Sequence, residues 1–422
     1  MDDLHMLTND QGERPSEVTH PREKLILVLD QSGSLGGAEL SLLEVCKRIR
    51  LFCNVVLFSD GPFRQSLQDA HVDVKVFSPR GFSDLHKQGG RTLSIATVRS
   101  VTKLAWDVIR MARSHRLIYA NTQKAMVIGA LAGAISHRPV VWHLRDIVSP
   151  DHFDGNKLRV IKWLSKSMIT HVIANSEASA KALQELAELP PERISVIYNG
   201  IDADPFNTAA EIPVAVLRRR YGLPTDAFLV GTFSRLAKWK GQHILLEAIA
   251  NKPGVHAVLV GAALFGEDEY EADLREKTRA LGIEDRVHFL GFQSDIAGLM
   301  SAVDIIAHTS VAPEPFGRVI VEAMLARRPV IATAAGGALE IITDQVDGSL
   351  VEPGNVRELA DKIDMLRENP ALAADLVLRA HATACANFNP DVYCQAVVKQ
   401  LGIVGGFDLV AGSADSMAMS RA

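Results

Sequence analysis

Two glutamates eight positions apart, Glu314 and Glu322, lie in the stretch Glu314-Pro315-Phe316-Gly317-Arg318-Val319-Ile320-Val321-Glu322, between a strand-like run (303–308) and a helical run (317–327). A strand, a Pro/Gly turn and a helix start bring free backbone N–H groups and the positive end of a helix dipole to one point, and phosphates bind at such points. Carboxylates would repel a phosphate, so the two acids are expected to serve neutral groups beside it; the paired hydroxyls of sugars suit them. One carboxylate before the helix and one inside it could hold a transferred sugar and the ribose of a sugar nucleotide. The alternative is a buried turn carrying a surface glutamate. Arg235 and Lys240, in Ser234-Arg235-Leu236-Ala237-Lys238-Trp239-Lys240-Gly241, follow another strand-like run (228–232). Ligands of parallel α/β folds sit at the carboxyl ends of strands, and two cations there would neutralise a diphosphate and its developing leaving-group charge. Surface cations are the alternative. Near the start of the chain, Gly36 and Gly37 in Gly33-Ser34-Leu35-Gly36-Gly37-Ala38-Glu39 allow backbone to approach a ligand closely, as would an ordinary tight turn.

These residues need a frame, and the apolar runs supply it. Lys24-Leu25-Ile26-Leu27-Val28-Leu29-Asp30 is a short run of the kind found in a buried parallel strand, followed by the glycine loop and a helical stretch to Arg50. The glycines do not match G-x-G-x-x-G, which argues against a dinucleotide fingerprint. Strand-like runs recur at 54–59, 72–78, 116–121, 139–144, 171–175 and 194–198, then in a second series at 228–232, 257–261, 287–290, 304–308, 329–332 and 349–351, with helical stretches between. Such alternation means parallel sheets covered on both faces. At 422 residues and 47% hydrophobic content, two domains are expected. The reading is a flexible leader (1–21), a Rossmann-like domain (22–205) with Ala203–Pro213 as linker, and a second Rossmann-like domain (206–387). A helix (388–403) returning to the first domain and a loose Gly/Ser/Ala-rich tail from Gly402 complete it.

Net charge is −5, and no aromatic-basic pattern of a nucleic-acid module is present, so no nucleic-acid partner is expected. The charge is uneven. Residues 85–170 carry 14 Lys/Arg against 4 Asp/Glu, leaving −15 for the remainder. In that segment Arg91, Arg99, Lys103, Arg110 and Arg113 surround Leu93, Ile95, Val98, Leu104, Trp106 and Ile109, while Lys157, Arg159, Lys162 and Lys166 accompany Leu158, Ile161, Trp163 and Leu164. Basic amphipathic helices with a tryptophan can lie on an anionic membrane, so Arg91–Met168 is a candidate peripheral membrane surface; a solvated face is the alternative. Cys46, Cys53, Cys385 and Cys394 show no metal or disulfide spacing. With neither an apolar signal core nor a run of roughly 18 apolar residues, the expectation is a cytoplasmic chain that is not integral.

In order, GSLGGAE, His143 in VWHLRD, Asn175-Ser176, NGID, SRLAKWKG, EPFGRVIVE, AAGGALEII and DGSLVEPGN resemble the retaining GT-B glycosyltransferases of glycosyltransferase family four, over about Leu25 to Leu401. The resemblance implies two facing α/β/α domains, the first (22–205) acceptor-binding and the second (206–387) donor-nucleotide-binding, and transfer of a hexosyl unit from a nucleotide-diphosphate sugar. UDP-sugars come first on family frequency and GDP-mannose next, and the acceptor is a glycan, lipid-linked or small-molecule hydroxyl in cell-surface polysaccharide synthesis. It implies that Arg235 and Lys240 bind the diphosphate, Glu322 the ribose and Glu314 the sugar hydroxyls. Backbone amides of Phe316 and Gly317 would approach sugar and phosphate, Gly36 and Gly37 would meet the phosphate from the opposite domain, and His143 would lie at the cleft near the sugar. Ser234-Arg235 departs from the Gly-Arg of many relatives and leaves the arginine role intact. Asp202-Ala203-Asp204 is literally a D-x-D metal motif, but its place in the NGID linker makes it a chance match, so no metal and no cofactor are expected. The rival readings are a GT-B-like epimerase or hydrolase of sugar nucleotides, a non-catalytic two-lobed binding protein and a degenerate regulatory transferase.

Overall fold

The computed structural model describes residues 24–78, 95–150, 152–263 and 267–409. The expected leader, Arg91, Leu93 and the last thirteen residues lie outside these. The first domain is a seven-stranded parallel sheet of β1 (Ile26–Asp30), β2 (Cys53–Leu57), β3 (Val74–Val76), β4 (Leu117–Ala120), β5 (Val140–Leu144), β6 (His171–Ala174) and β7 (Ile194–Val196), in the order β3-β2-β1-β4-β5-β6-β7. The second is a six-stranded sheet of β8 (Phe228–Phe233), β9 (Val255–Val260), β10 (Val287–Gly291), β11 (Ile305–His308), β12 (Val330–Thr333) and β13 (Ser349–Val351), in the order β10-β9-β8-β11-β12-β13. Both orders reverse direction beside their first strand, and the crevice outside the carboxyl ends at that switch point is where such sheets bind ligands.

Every residue of β1, β4, β5 and β6 is buried, as continuous apolar runs require when helices cover both faces. In the first domain the helices are α1 (Gly37–Arg48), α2 (Pro62–Asp69), α3 (Ile95–Ala112), α4 (Gln123–Ser136), α5 (Gly155–Ser167) and α6 (Glu177–Ala187). One face of the sheet packs on α3, α4, α5 and α6 through residues such as Leu104, Val108, Met126, Ile161 and Leu183; the other packs on α1 and α2. The second domain carries α7 (Asp204–Ala210), α8 (Val214–Arg220), α9 (Gln242–Ile249), α10 (Asp268–Ala280), α11 (Ile296–Ala302), α12 (Arg318–Leu325), α13 (Ala338–Ile341), α14 (Val356–Glu368) and α15 (Pro370–Asn387).

Two stretches differ from expectation. Residues 203–213 are not an open linker: α7 starts with Pro205 in its first turn and buries Phe206 and Ala209 in the second domain's core beside Leu217 and Leu299. Nor is the chain loose from Gly402. Helix α16 (Pro390–Gly405) runs past it, ends on Gly406 at φ 66°, and turns back so that Phe407 and Leu409 pack into the first domain's core. Tyr393, Cys394, Val397 and Leu401 bury the same helix against the α1 side of the first sheet.

Candidate active site

Two loops leave the carboxyl ends of β8 and β11, neighbours in the second sheet, and meet. The Lys240 ammonium lies 2.6 Å from Glu314 Oε2, with side chains only 13% and 14% exposed. His308 Nε2, at the end of β11, and the Ser310 hydroxyl also reach Oε2, each at 3.2 Å. Burial alone would push the Glu314 carboxyl up. The ammonium and the His308 contact reverse that and hold it well below the usual carboxylate range. The expectation that Glu314 serves only neutral groups therefore changes: its first partner is a cation. Lys240 is not a surface cation either, since its ammonium also lies 4.1 Å from the centre of the Trp239 ring, with the Arg235 guanidinium 5.7 Å from the same ring.

The loop bearing Glu314 is held by AAGGALE. The Gly337 N–H donates to Glu314 O at 2.8 Å, and a Cβ at Gly336 would fall 2.2 Å from that oxygen. Gly317, at φ 101°, turns the chain into α12. Phe316 is buried against Tyr198 and Phe388, with ring centroids 6.2 and 5.7 Å away. Glu322, one turn into α12, pairs with Arg318 at 3.1 Å.

From the first domain, Asp146 follows β5, accepts a hydrogen bond from Gln123 Nε2 at 3.0 Å and feels Arg235 across the cleft; burial pushes its carboxyl up. His152 stands edge-on to Trp239, 5.6 Å between centroids, and its Nε2 lies 3.2 Å from Pro313 O. Gly36 is the residue before α1, its N–H held by Glu39 Oε2 at 3.0 Å. Gly37 faces Arg318 of the second domain.

His143 is placed differently. It lies wholly inside the first domain, its Nδ1 2.5 Å from the Tyr119 hydroxyl and its ring 6.4 Å from that of Tyr393. Burial holds its pKa well below the ordinary histidine value, so it is neutral. The expected place at the cleft is not where the structure puts it: β5 is a central strand with both faces covered, and this position faces the α16 side. The residue that leaves β5 toward the domain junction is Arg145, hydrogen-bonded to Asn121 at 3.0 Å, Asn199 at 2.5 Å and Tyr393 at 3.2 Å. The literal D-x-D sits at the start of α7, where Asp202 Oδ1 accepts from the Asp204 N–H at 3.0 Å.

The sequence reading missed His308, Arg145, Asp146 and Arg318. His308 and Asp146 stand at or just beyond carboxyl ends of parallel strands, and Arg318 is spaced i,i+4 from Glu322; those were the available signals.

Comparison with known proteins adds an independent observation. Residues 35–205 match the family model described as Glycosyltransferase Family 4, and residues 214–382 match Glycosyl transferases group 1. A crystal structure of the Anabaena protein HepE in complex with UDP and glucose superposes with TM-score 0.81 at 43% identity, over 89% of this chain and 99% of that one. This chain belongs to glycosyltransferase family four. Its two-domain GT-B fold is shared with WaaG, a glycosyltransferase involved in lipopolysaccharide biosynthesis (TM-score 0.67, 15% identity, over 90% and 99% of the two chains). D-inositol 3-phosphate glycosyltransferase of Mycolicibacterium smegmatis is 34% identical over 221 residues, 52% of this chain and 49% of the relative. A lipopolysaccharide core biosynthesis glycosyltransferase of Rhizobium meliloti is 31% identical over 188 residues, 44% and 54%. The chain thus spans about half the length of these curated relatives. Among the described residues, no helix of this family-four member is long and apolar enough to cross a membrane.

Proposed function

We propose that this chain transfers a hexosyl unit from a UDP-sugar to a hydroxyl of a glycan or lipid-linked acceptor, with retention and without a metal. The observation that carries the reading is the Lys240–Glu314 pair with Arg235 beside it, at the carboxyl ends of β8 and β11 and facing the first domain. A UDP- and glucose-bound neighbour at 43% identity supports a UDP donor over GDP-mannose.

In this mechanism Arg235 and Lys240 receive the diphosphate and stabilise the charge it gains on leaving, which is the part a divalent cation plays elsewhere. Glu314 receives the sugar hydroxyls through Oε1, the oxygen that Lys240, His308 and Ser310 do not engage. The bond between the anomeric carbon and the phosphate oxygen breaks as the acceptor oxygen bonds the same face of that carbon. The acceptor proton passes to the departing phosphate oxygen. Closure of the two domains excludes water so that transfer outruns hydrolysis.

The test is a thermal-shift panel of UDP, GDP and ADP and their sugar conjugates, with and without chelator, followed by turnover with and without acceptor. Ligands that bind only the folded chain raise its melting temperature. A UDP-specific shift unaffected by chelator, with turnover that needs an acceptor, is expected. Donor consumption without acceptor would favour the epimerase or hydrolase reading, and a shift without turnover the binding-protein one.

Separately, we propose that the chain docks on the cytoplasmic face of a membrane through its first domain. Trp106 on α3 and Trp163 on α5 are 58% and 55% exposed, and Ile135 and Val160 join them on the helical layer over one face of the first sheet. Lys162 and Lys166 both pair with Glu188, at 2.9 and 3.0 Å, so part of the positive charge is already met within the protein. Exposed aromatics, more than net charge, support docking here.

A further inference from the structure

Arg318 opens α12, a position where a cation opposes the helix dipole. Something must hold it there, and two contacts do. Its Nη2 donates to Glu322 Oε1 at 3.1 Å, and its Nη1 donates to Ser41 Oγ of α1, in the opposite domain, at 3.0 Å. Ser41 Oγ has its own proton on Gly37 O at 3.0 Å, so its lone pairs are directed to the guanidinium. The contacts continue inward: the Tyr393 hydroxyl donates to Ser41 O at 3.3 Å and receives Arg145 Nη2 at 3.2 Å, and Arg145 reaches Asn199 at the domain junction.

Gly37 fits this arrangement. Its φ/ψ lies inside a helix, so no left-handed conformation calls for glycine. The space does: an ideal Cβ there would stand 2.9 Å from Arg318 Cδ. The room beside Gly37 is filled by an arginine of the other domain.

Resting on the donor-site reading above, we propose that Arg318 is a positioning residue. It fixes the Glu322 carboxylate so that its second oxygen receives the ribose hydroxyls of the donor, and it ties that carboxylate through Ser41 to α1 of the facing domain. Gly37 is glycine to admit Arg318. A carboxylate held on one side by a guanidinium is pre-oriented for a diol on the other, and the hydrogen bond to the ribose then forms with little loss of side-chain freedom. Because the same guanidinium bridges the cleft, the ribose is read in the closed arrangement of the domains.

The experiment measures dissociation constants of UDP and of 2′,3′-dideoxy-UDP by calorimetry for the full chain and for Arg318→Ala, Arg318→Gln, Gly37→Ala and the Gly37→Ala/Arg318→Ala double variant, each checked for an unchanged cooperative melt. The wild type is expected to prefer UDP by about ten-fold or more, the scale of a hydrogen bond to a charged group. Both Arg318 variants should lose most of that preference while binding dideoxy-UDP nearly as the wild type does. Gly37→Ala should do the same, since Arg318 is the flexible neighbour that must move, and should add nothing in the Arg318→Ala background. A purely structural Arg318 would weaken both nucleotides alike. Retention of the full preference in the Arg318 variants overturns the proposal, as does a Gly37→Ala loss of equal size in both backgrounds. A wild type that binds UDP but does not distinguish it from its dideoxy form overturns this inference and leaves the donor-site reading standing, whereas one that binds none of UDP, GDP and ADP overturns the donor-site reading itself.

Discussion

Replacing Lys240 by alanine separates the two tasks of the buried pair. In the wild type its ammonium sits 2.6 Å from a carboxylate 14% exposed, and it is the foremost interaction holding that carboxyl down against burial. Alanine leaves the carboxylate with His308 and Ser310 as donors but no lysine. Breaking one side of a buried pair costs about 3 to 5 kcal/mol, and the two remaining donors place this case near 3. For a domain of this size that is a fall in melting temperature of about 6 to 12 °C. Glu314→Gln should cost a similar amount, because it leaves the buried Lys240 ammonium without its counter-charge, and the Lys240→Ala/Glu314→Gln double variant should recover part of either single loss. The sign with pH follows. A carboxyl depressed in the folded state contributes stability that is fully present above the ordinary carboxylate range and is lost as pH falls through the folded value. Without Lys240 that loss should begin at higher pH. Catalysis should fall further than stability: losing one preorganised charge at a developing anion costs about 10² to 10³ in kcat. The assay is thermal unfolding between pH 4 and 8 beside donor turnover. A Lys240→Ala protein that melts within about 1 °C of wild type, or turns over at near wild-type rate, would refute the argument.

Glu340 of the second domain accepts from the N–H groups of Glu177 and Ala178 at 2.7 and 2.8 Å, the start of α6 in the first domain; Glu340→Ala should shift the solution ensemble toward larger interdomain separation, read as an increased radius of gyration in small-angle scattering. Asp30 is fully buried, and burial, then Glu39, push its carboxyl up to about 7. A raised carboxyl contributes stability present below the ordinary carboxylate range and lost as pH rises through about 7, so melting temperature should fall between pH 5 and 7.5, and Asp30→Asn should flatten that fall. Chelator should leave initial rates unchanged; loss of activity restored by a divalent ion would remove the metal-free mechanism. Trp106→Ala/Trp163→Ala should reduce co-sedimentation with vesicles of anionic lipid by several-fold, and equal binding by both proteins would remove the membrane surface.

Much of the frame could be read from the chain. The strand-like runs fall on β1 to β13 because buried parallel strands are unbroken apolar segments with little else they could be. The errors have physical causes. Asp204-Pro205-Phe206 reads as linker by composition, yet Pro205 is well placed in a first helical turn, and α11 supplies the surface that buries Phe206. Gly402 and Gly405 suggest looseness, but α16 is held by a first domain nearly 200 positions earlier. The donor-site types were legible while their pairing was not: Lys240 and Glu314 are 74 positions apart, and only the adjacency of β8 and β11 joins them. His143 carried a functional expectation through the family resemblance alone, whereas on a central strand it found Tyr119 inside the core.

Helix α16 has a consequence for how the protein is made. The first sheet is complete at β7, whose last residue is Val196, yet Tyr393, Val397 and Leu401 of α16 lie in the core cluster that covers one of its faces. The ribosome must therefore add about 190 further residues, roughly 10 to 40 s at ordinary elongation rates, before that face can be closed. The second domain is contiguous in the chain and can finish first, so the half that begins synthesis is the half that ends folding. An apolar patch on the nascent first domain has to be shielded through that interval, by a chaperone or by transient packing of its own helices. Substitutions in α16 should accordingly lower the yield of folded protein more than they lower nucleotide binding by the molecules that do fold.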